Sequence, residues 1–335
     1  MDRRSFLTAV AASSVLSAST AQLARAQTGG AFSAAASYSA EQQGASFLLA
    51  RHGVILAEQY SAGAADTRWP IGTGTRTFMP LLAASLVEDH LMSLDEPVAL
   101  TLGDWGAHPV KSMISIRMLL SGASGVAFAR EGPRDLAAAM ALEPSAAPGV
   151  AFSDDAAPYV LFNEIARRKL EQDGRESDPA RYLTTRTLLP IGCVPIGWAR
   201  DAGGQARFDD GAAVSARGWA QAGELIRRLG VWRAQQLVDD GALGEALRGS
   251  VAEPRAGFGL WLAGAGRGRD TYDLDTDLWR VPTPAPPDLI MAAGQGGQRL
   301  YLSPTRGVVA VRQSRALDAH GWSDAQFLTL LFRDL

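Results

Sequence analysis

A side-chain hydroxyl becomes a nucleophile when a neutral amine or imidazole stands close enough to take its proton. One helical turn gives that reach, so a Ser or Thr three residues before a Lys is the pattern to seek first. The chain has two lysines, Lys111 and Lys169, and its other basic residues are arginines. His108 stands three residues before the first and Ala166 three before the second, so the pattern is absent throughout. Cys193 is the sole cysteine, which excludes an intrachain disulfide and a thiolate zinc cluster; its apolar flanks read as those of a small buried hydrophobe. His52 lies in a turn, and His90, His108 and His320 are scattered without ligand spacing. Asp270, Asp273, Asp275 and Asp277 have the look of a calcium loop but lack its glycine and closing glutamate, so a solvated acidic loop is expected. No metal and no cofactor is expected.

Composition narrows the setting. The 335 residues are 47% hydrophobic and 20% charged, enough apolar mass for one large domain. A net charge of −3 leaves no electrostatic footprint for nucleic acid. Residues 1–26 read as an address: Arg3-Arg4, an Ala/Ser-rich apolar run too short to span a bilayer, then Ala24-Arg25-Ala26. That is the pattern of a twin-arginine export signal cleaved after Ala26, giving a periplasmic or secreted protein with no membrane segment left.

The elements follow from apolar spacing. Residues 27–44, rich in Ala, Ser, Gly and Gln, read as a loose lead-in. Phe47–Ala50 and Val54–Ala57, split by Arg51-His52-Gly53, read as a β-hairpin. Helical spacing then dominates: Thr77 to His90 despite Pro80, Ile116 to Leu120, Tyr159 to Leu170, Arg181 to Leu189 and Ala216 to Leu229. Strands return at Gly257 to Leu262, Leu289 to Ala293, Arg299 to Leu302 and Val308 to Arg312, before a closing helix from Asp324 to Phe332. This predicts an α+β fold in which both ends share one antiparallel sheet flanked by helices (45–77 and 251–335). A mainly helical subdomain, 78–250, is inserted between them, with a cleft at the junction. Trp198, Trp261 and Trp279 are expected in core or cleft-wall packing.

Ordered short motifs carry a resemblance: Trp69-Pro70-Ile71-Gly72, Leu94-Asp95-Glu96-Pro97, Ile114-Ser115-Ile116-Arg117-Met118-Leu119-Leu120-Ser121-Gly122, Pro148-Gly149, Leu189-Pro190-Ile191-Gly192, Trp198-Ala199-Arg200-Asp201, and Gly294-Gln295-Gly296-Gly297-Gln298. Together they resemble the serine β-lactamase-like hydrolases: class C β-lactamases, penicillin-binding proteins, related esterases and 6-aminohexanoate-oligomer hydrolases. The resemblance implies a β-lactamase/transpeptidase-like fold and a Ser-x-x-Lys pair opening the first core helix. It also implies a tyrosine proton carrier and backbone amides that hold an oxyanion, one of them the nucleophile's own. In this chain the first place is held by Thr73-Gly74-Thr75-Arg76. Asp154 stands at the tyrosine's place and Ala156 at an asparagine's, with Tyr159 on the following helix. Gln295-Gly296-Gly297 aligns with the Lys/His-x-Gly strand, lacking its cation or imidazole.

These departures are chemically related. A guanidinium keeps its proton at any physiological pH, so Arg76 orients anions and cannot serve as base. Arg76 beside Asp154 would be an ion pair where the family keeps a proton relay. Thr73 after Gly72 also reads as a helix N-cap, and Arg76 and Asp154 as solvated surface charges. The leading expectation is an exported protein of this fold with its catalytic set dismantled, still binding a small amide, ester or peptide-like molecule through Gln295, Gly296 and Gly297. The rivals are an active hydrolase using Thr73 and a fold kept only as a platform for a partner.

Overall fold

The computed structural model describes residues 30–194, 196–263 and 274–335; the expected export signal and Asp270 and Asp273 lie outside the described residues. The central sheet runs in the order β2-β1-β11-β10-β9-β8. Its members are β1 (Gly44–Arg51), β2 (Val54–Tyr60), β8 (Trp261–Leu262), β9 (Ile290–Gly294), β10 (Gln298–Ser303) and β11 (Val308–Ser314). All pairings are antiparallel, and β1 lies between its hairpin partner and the last strand, Leu48 opposite Val311. The two ends of the chain thus share one sheet. Successive side chains of β1 point to opposite faces, so Leu48 and Ala50 enter one apolar cluster while Phe47 and Leu49 enter another. Burial on both faces explains why this strand reads as an unbroken apolar run.

The second face is covered by α1 (Ser33–Glu41) and α9 (Asp324–Arg333). Here the expectation of a loose lead-in fails. Ala35, Ala36 and Tyr38 are buried, Tyr38 lies 5.3 Å from Trp322 between ring centres, and its hydroxyl accepts the Ser323 N–H at 3.0 Å. Alanine is both a strong helix former and small enough for close packing, so a composition that suggested slack instead builds a thin covering helix.

The first face carries α7 (Ala216–Arg227), and α2 (Phe78–Glu88) shares the apolar cluster on that side, packed against the helices Pro179–Leu183 and Asp240–Ala246. Pro80 falls in the first turn of α2, where an N–H has no intrahelical partner to lose. Although α7 falls within the stretch 78–250 expected as an inserted helical subdomain, its buried Trp219, Ala222, Leu225 and Ile226 put it on β1, β10 and β11.

The remaining helices are α3 (Ile116–Leu120), α4 (Leu136–Ala141), α5 (Ala157–Gln172), α6 (Pro179–Leu183) and α8 (Asp240–Ala246). Ser115, Asp135, Asp178 and Asp239 cap α3, α4, α6 and α8 through side-chain oxygens. The segment read as one helix from Arg181 to Leu189 is α6 running into a wider turn, Thr184–Leu188. A small sheet joins β3 (Trp69–Pro70), β5 (Ala212–Val214) and β4 (Ile196–Trp198), and β6 (Val231–Trp232) pairs with β7 (Gln235–Gln236). Of the run Gly257 to Leu262, only the last two residues are strand.

Candidate functional site

The chain leaves β3 through a tight 3-10 turn, Gly72–Thr77, that feeds α2. Hydroxyls knit the turn from within: Thr75 donates to the Gly72 carbonyl at 2.6 Å and Thr77 to that of Gly74 at 2.7 Å. Thr75 also accepts the Ala212 N–H and Thr77 the Trp219 indole, tying the turn to β5 and α7. Thr73 is different. It is not an N-cap, since it lies inside the turn and its hydroxyl faces outward across the cleft floor. That hydroxyl donates to the Ala293 carbonyl of β9 at 3.0 Å and also lies 3.3 Å from Gln295 Oε1. The same Oε1 accepts the Thr73 N–H at 3.0 Å. Gly72, at φ 53°, makes room: a Cβ there would fall 2.2 Å from Gln295 Oε1.

Arg76 and Asp154 meet. The guanidinium donates to the carboxylate, with the two side chains 10% and 25% exposed, so neither is the solvated charge that a surface pair would be. Arg76 also lies 4.7 Å over the Tyr159 ring. Burial alone would push this guanidinium down; Asp154, Tyr159 and Asp209 outweigh it and hold it above its ordinary value. Burial pushes the Tyr159 phenol up to about 12, against the opposing pull of Arg76, so it keeps its proton. Gly259, at φ 70°, brings the 257–260 loop onto Arg76, where a Cβ would sit 2.7 Å from the arginine's own.

The residues Gln295, Gly296 and Gly297 do not form a strand. β9 ends at Gly294 and the glycine run turns the chain in a 3-10 loop. Buried Arg312, 4.4 Å over the Trp322 ring, takes the Gly296 and Gly297 carbonyls at 2.6 and 2.9 Å, so neither carbonyl is spent on Thr73. Only Gln295 reaches it. The strand residue that does face Thr73 is Ala293, which carries no side-chain signal for sequence reading to find.

A cavity of about 20 Å³, room for a water molecule, lies between Thr73, Arg76, Asp154, Tyr159, Leu260 and Trp261. Trp261 is a wall of this cavity, edge-on to Phe152 and Trp279; Trp198 packs instead on Phe78 and Phe208. Neither lysine lines the cavity: Lys111 pairs with Glu143 and Lys169 with Glu96. Cys193 is buried, and burial pushes its thiol up. Asp277 is not a solvated loop residue, since it accepts the Ala325 N–H at 3.0 Å and the Ser323 hydroxyl at the head of α9. Among the described residues no group of three or more His, Cys, Asp or Glu could hold a metal ion.

Residues 24–321 match the beta-lactamase family profile, and the chain belongs to that family. A search of curated proteins finds no matching relative. Solved structures of similar fold include a family VIII carboxylesterase, 16% identical with a TM-score of 0.68 over 91% of this chain and 96% of that one. Another is a penicillin-binding protein homologue from Caulobacter crescentus, 18% identical with a TM-score of 0.66 over 91% and 97%. A third is EstCE1, a hydrolase with promiscuous acyltransferase activity, 15% identical with a TM-score of 0.68 over 91% and 97%.

Proposed function

We propose that this member of the β-lactamase-fold hydrolase family is catalytically silent toward acyl groups and serves as an exported binding protein for a small amide, ester or peptide-like molecule. One observation carries the reading: the Thr73 hydroxyl donates to the Ala293 carbonyl, and the cation one turn away is a guanidinium closed onto Asp154. An attacking hydroxyl needs a base that can accept its proton. Arg76 cannot, Tyr159 holds its own proton, and Asp154 is engaged by Arg76. The Thr73 N–H, which would steady the oxyanion of an acylation step, is already taken by the Gln295 carboxamide. A ligand carbonyl would have to displace that side chain and take over its hydrogen bond.

The test uses the mature protein with a fluorescent penicillin and with nitrophenyl esters, beside Thr73→Ala and Gln295→Gly. The expected result is no covalent label and no turnover above the Thr73→Ala background. An amide probe such as butyranilide should raise the Tm of the parent by about 2 °C at saturating concentration, and by more in Gln295→Gly, where no side chain has to be displaced. Labelling or turnover that disappears in Thr73→Ala would establish an active threonine hydrolase instead. No shift in the parent would overturn the binding role and leave the fold as a platform without this ligand.

The export half of the proposal rests on Arg3-Arg4 and the Ala24-Arg25-Ala26 site. Expression of the full chain in a bacterium with a twin-arginine translocase should give periplasmic protein beginning at Gln27 by N-terminal sequencing, lost when both arginines become lysine. Full-length protein retained in the cytoplasm would overturn it.

A further inference from the structure

Tyr159 is a wall of two cavities. On its other side lies a larger one of about 540 Å³, bounded by α5 and the 200–210 loop and independent of the chemistry at Thr73. Asn163, 4% exposed, lines it. Its Nδ2 donates to Gln205 Oε1 at 2.9 Å and to the Ala206 carbonyl at 3.3 Å. Two acceptors on one side fix the orientation of the amide. Its Oδ1 is therefore left buried with no donor among the described residues. A buried acceptor without a donor is costly and is uncommon in native interiors, which points to a group arriving from outside.

Asp209 lines the same cavity, and the cations around it are committed elsewhere. Arg76 is paired with Asp154, Arg207 with Asp210, and Arg200 with Asp178. Asp209 forms no ion pair with a described residue. Burial, with Asp210 adding to it, holds its carboxyl above the usual range against the opposing pull of a backbone hydrogen bond, Arg207 and Arg76. Arg134 also lines the cavity; it lies 6.0 Å over the Phe128 ring and pairs with no carboxylate among the described residues.

We propose that this cavity binds a small molecule carrying a primary ammonium, which donates to Asn163 Oδ1 and the Asp209 carboxylate, with a carboxylate at the molecule's other end met by Arg134. The ligand class is a free amino acid or a short amine-terminated peptide. The volume lies within the usual range of small-molecule sites. An ammonium has three donors and no acceptor, and so suits a floor that offers an amide oxygen without a donor and a carboxylate without an ion pair.

Calorimetric titration of the mature protein with n-butylammonium, γ-aminobutyrate and butyrate tests this. The two amines should bind and butyrate should not. Asp209→Asn should weaken both amines by about tenfold or more, the worth of one charge-assisted bond. Arg134→Gln should weaken γ-aminobutyrate alone, and equal binding there would remove the carboxylate end of the proposal. Val160→Trp, which fills the cavity while leaving both acceptors in place, should abolish all binding, so a misfolded Asp209→Asn variant does not stall the test. Thr73→Ala should change nothing, which separates this site from the cleft. No heat from either amine, butyrate binding as well as the amines, or amine binding untouched by both Asp209→Asn and Val160→Trp would overturn the proposal.

Discussion

Asp154→Ala lowers the free energy of unfolding by about 3 kcal/mol, the low end of the cost of breaking a buried ion pair, because the carboxylate is a quarter exposed and partly screened. The cost arises less from the lost attraction than from what remains: a guanidinium under the 257–260 loop and against Tyr159 with no anion bonded to it. Arg76→Met with Asp154→Leu should then recover most of the loss, since two apolar side chains of similar bulk leave no charge stranded. A double-mutant cycle with the alanine variants, read by urea unfolding, measures the coupling directly. A coupling indistinguishable from zero would mean that the two groups touch without depending on each other, and the picture of a relay turned into a strut would fall.

Asp324→Asn should cost more, about 4 kcal/mol. Asp324 and Arg299 have side chains 0% and 1% exposed, and the carboxylate accepts from Arg299 Nε at 2.8 Å, the Thr276 hydroxyl at 2.6 Å, the Trp322 indole at 3.0 Å and the Tyr301 hydroxyl. Burial pushes this carboxyl up; Arg299 and the surrounding donors pull it down further, so it titrates below its ordinary range. A carboxyl with a lower value folded than unfolded adds stability above its unfolded pKa of about 3.9, and that stability is lost as pH falls through the folded value. The gap between parent and Asp324→Asn should therefore be widest near neutral pH and shrink in acid. Urea midpoints at several pH values measure it, and a gap that stays constant through the acid range would refute the argument. The same carboxylate stands at the start of α9, so the loss should be felt first where that helix covers the sheet.

The sheet could be read from the residues because its inner strands are buried on both faces and so appear as unbroken apolar runs, Phe47 to Ala50 at one end and Val308 to Val311 at the other. The helix α1 could not, because Ala, Ser and Gln say nothing by themselves about what lies against them; only α9, nearly three hundred residues later, turns that stretch into a buried face. The cleft divides in the same way. Thr73, Arg76 and Asp154 were reachable through ordered motifs whose spacing survives replacement of their chemistry. The opposite wall was not: Ala293 contributes a carbonyl that every residue has, and the role of Gln295 depends on where a flexible side chain comes to rest. Asp277 shows the reverse error. A run of alternating aspartates suggests solvent or a cation, yet one of them is spent on the Ala325 N–H and the Ser323 hydroxyl where a helix opens.

The pairing of the first strand with the last has a consequence for how the molecule is made. Until Val308 to Ser314 leave the ribosome, the hairpin that begins the sheet has a bare inner edge, with Phe47 to Leu49 open to stray pairing with other nascent chains. Closure of the sheet thus waits for the emergence of β11, and a product truncated before that strand is the species that chaperones and proteases would have to clear.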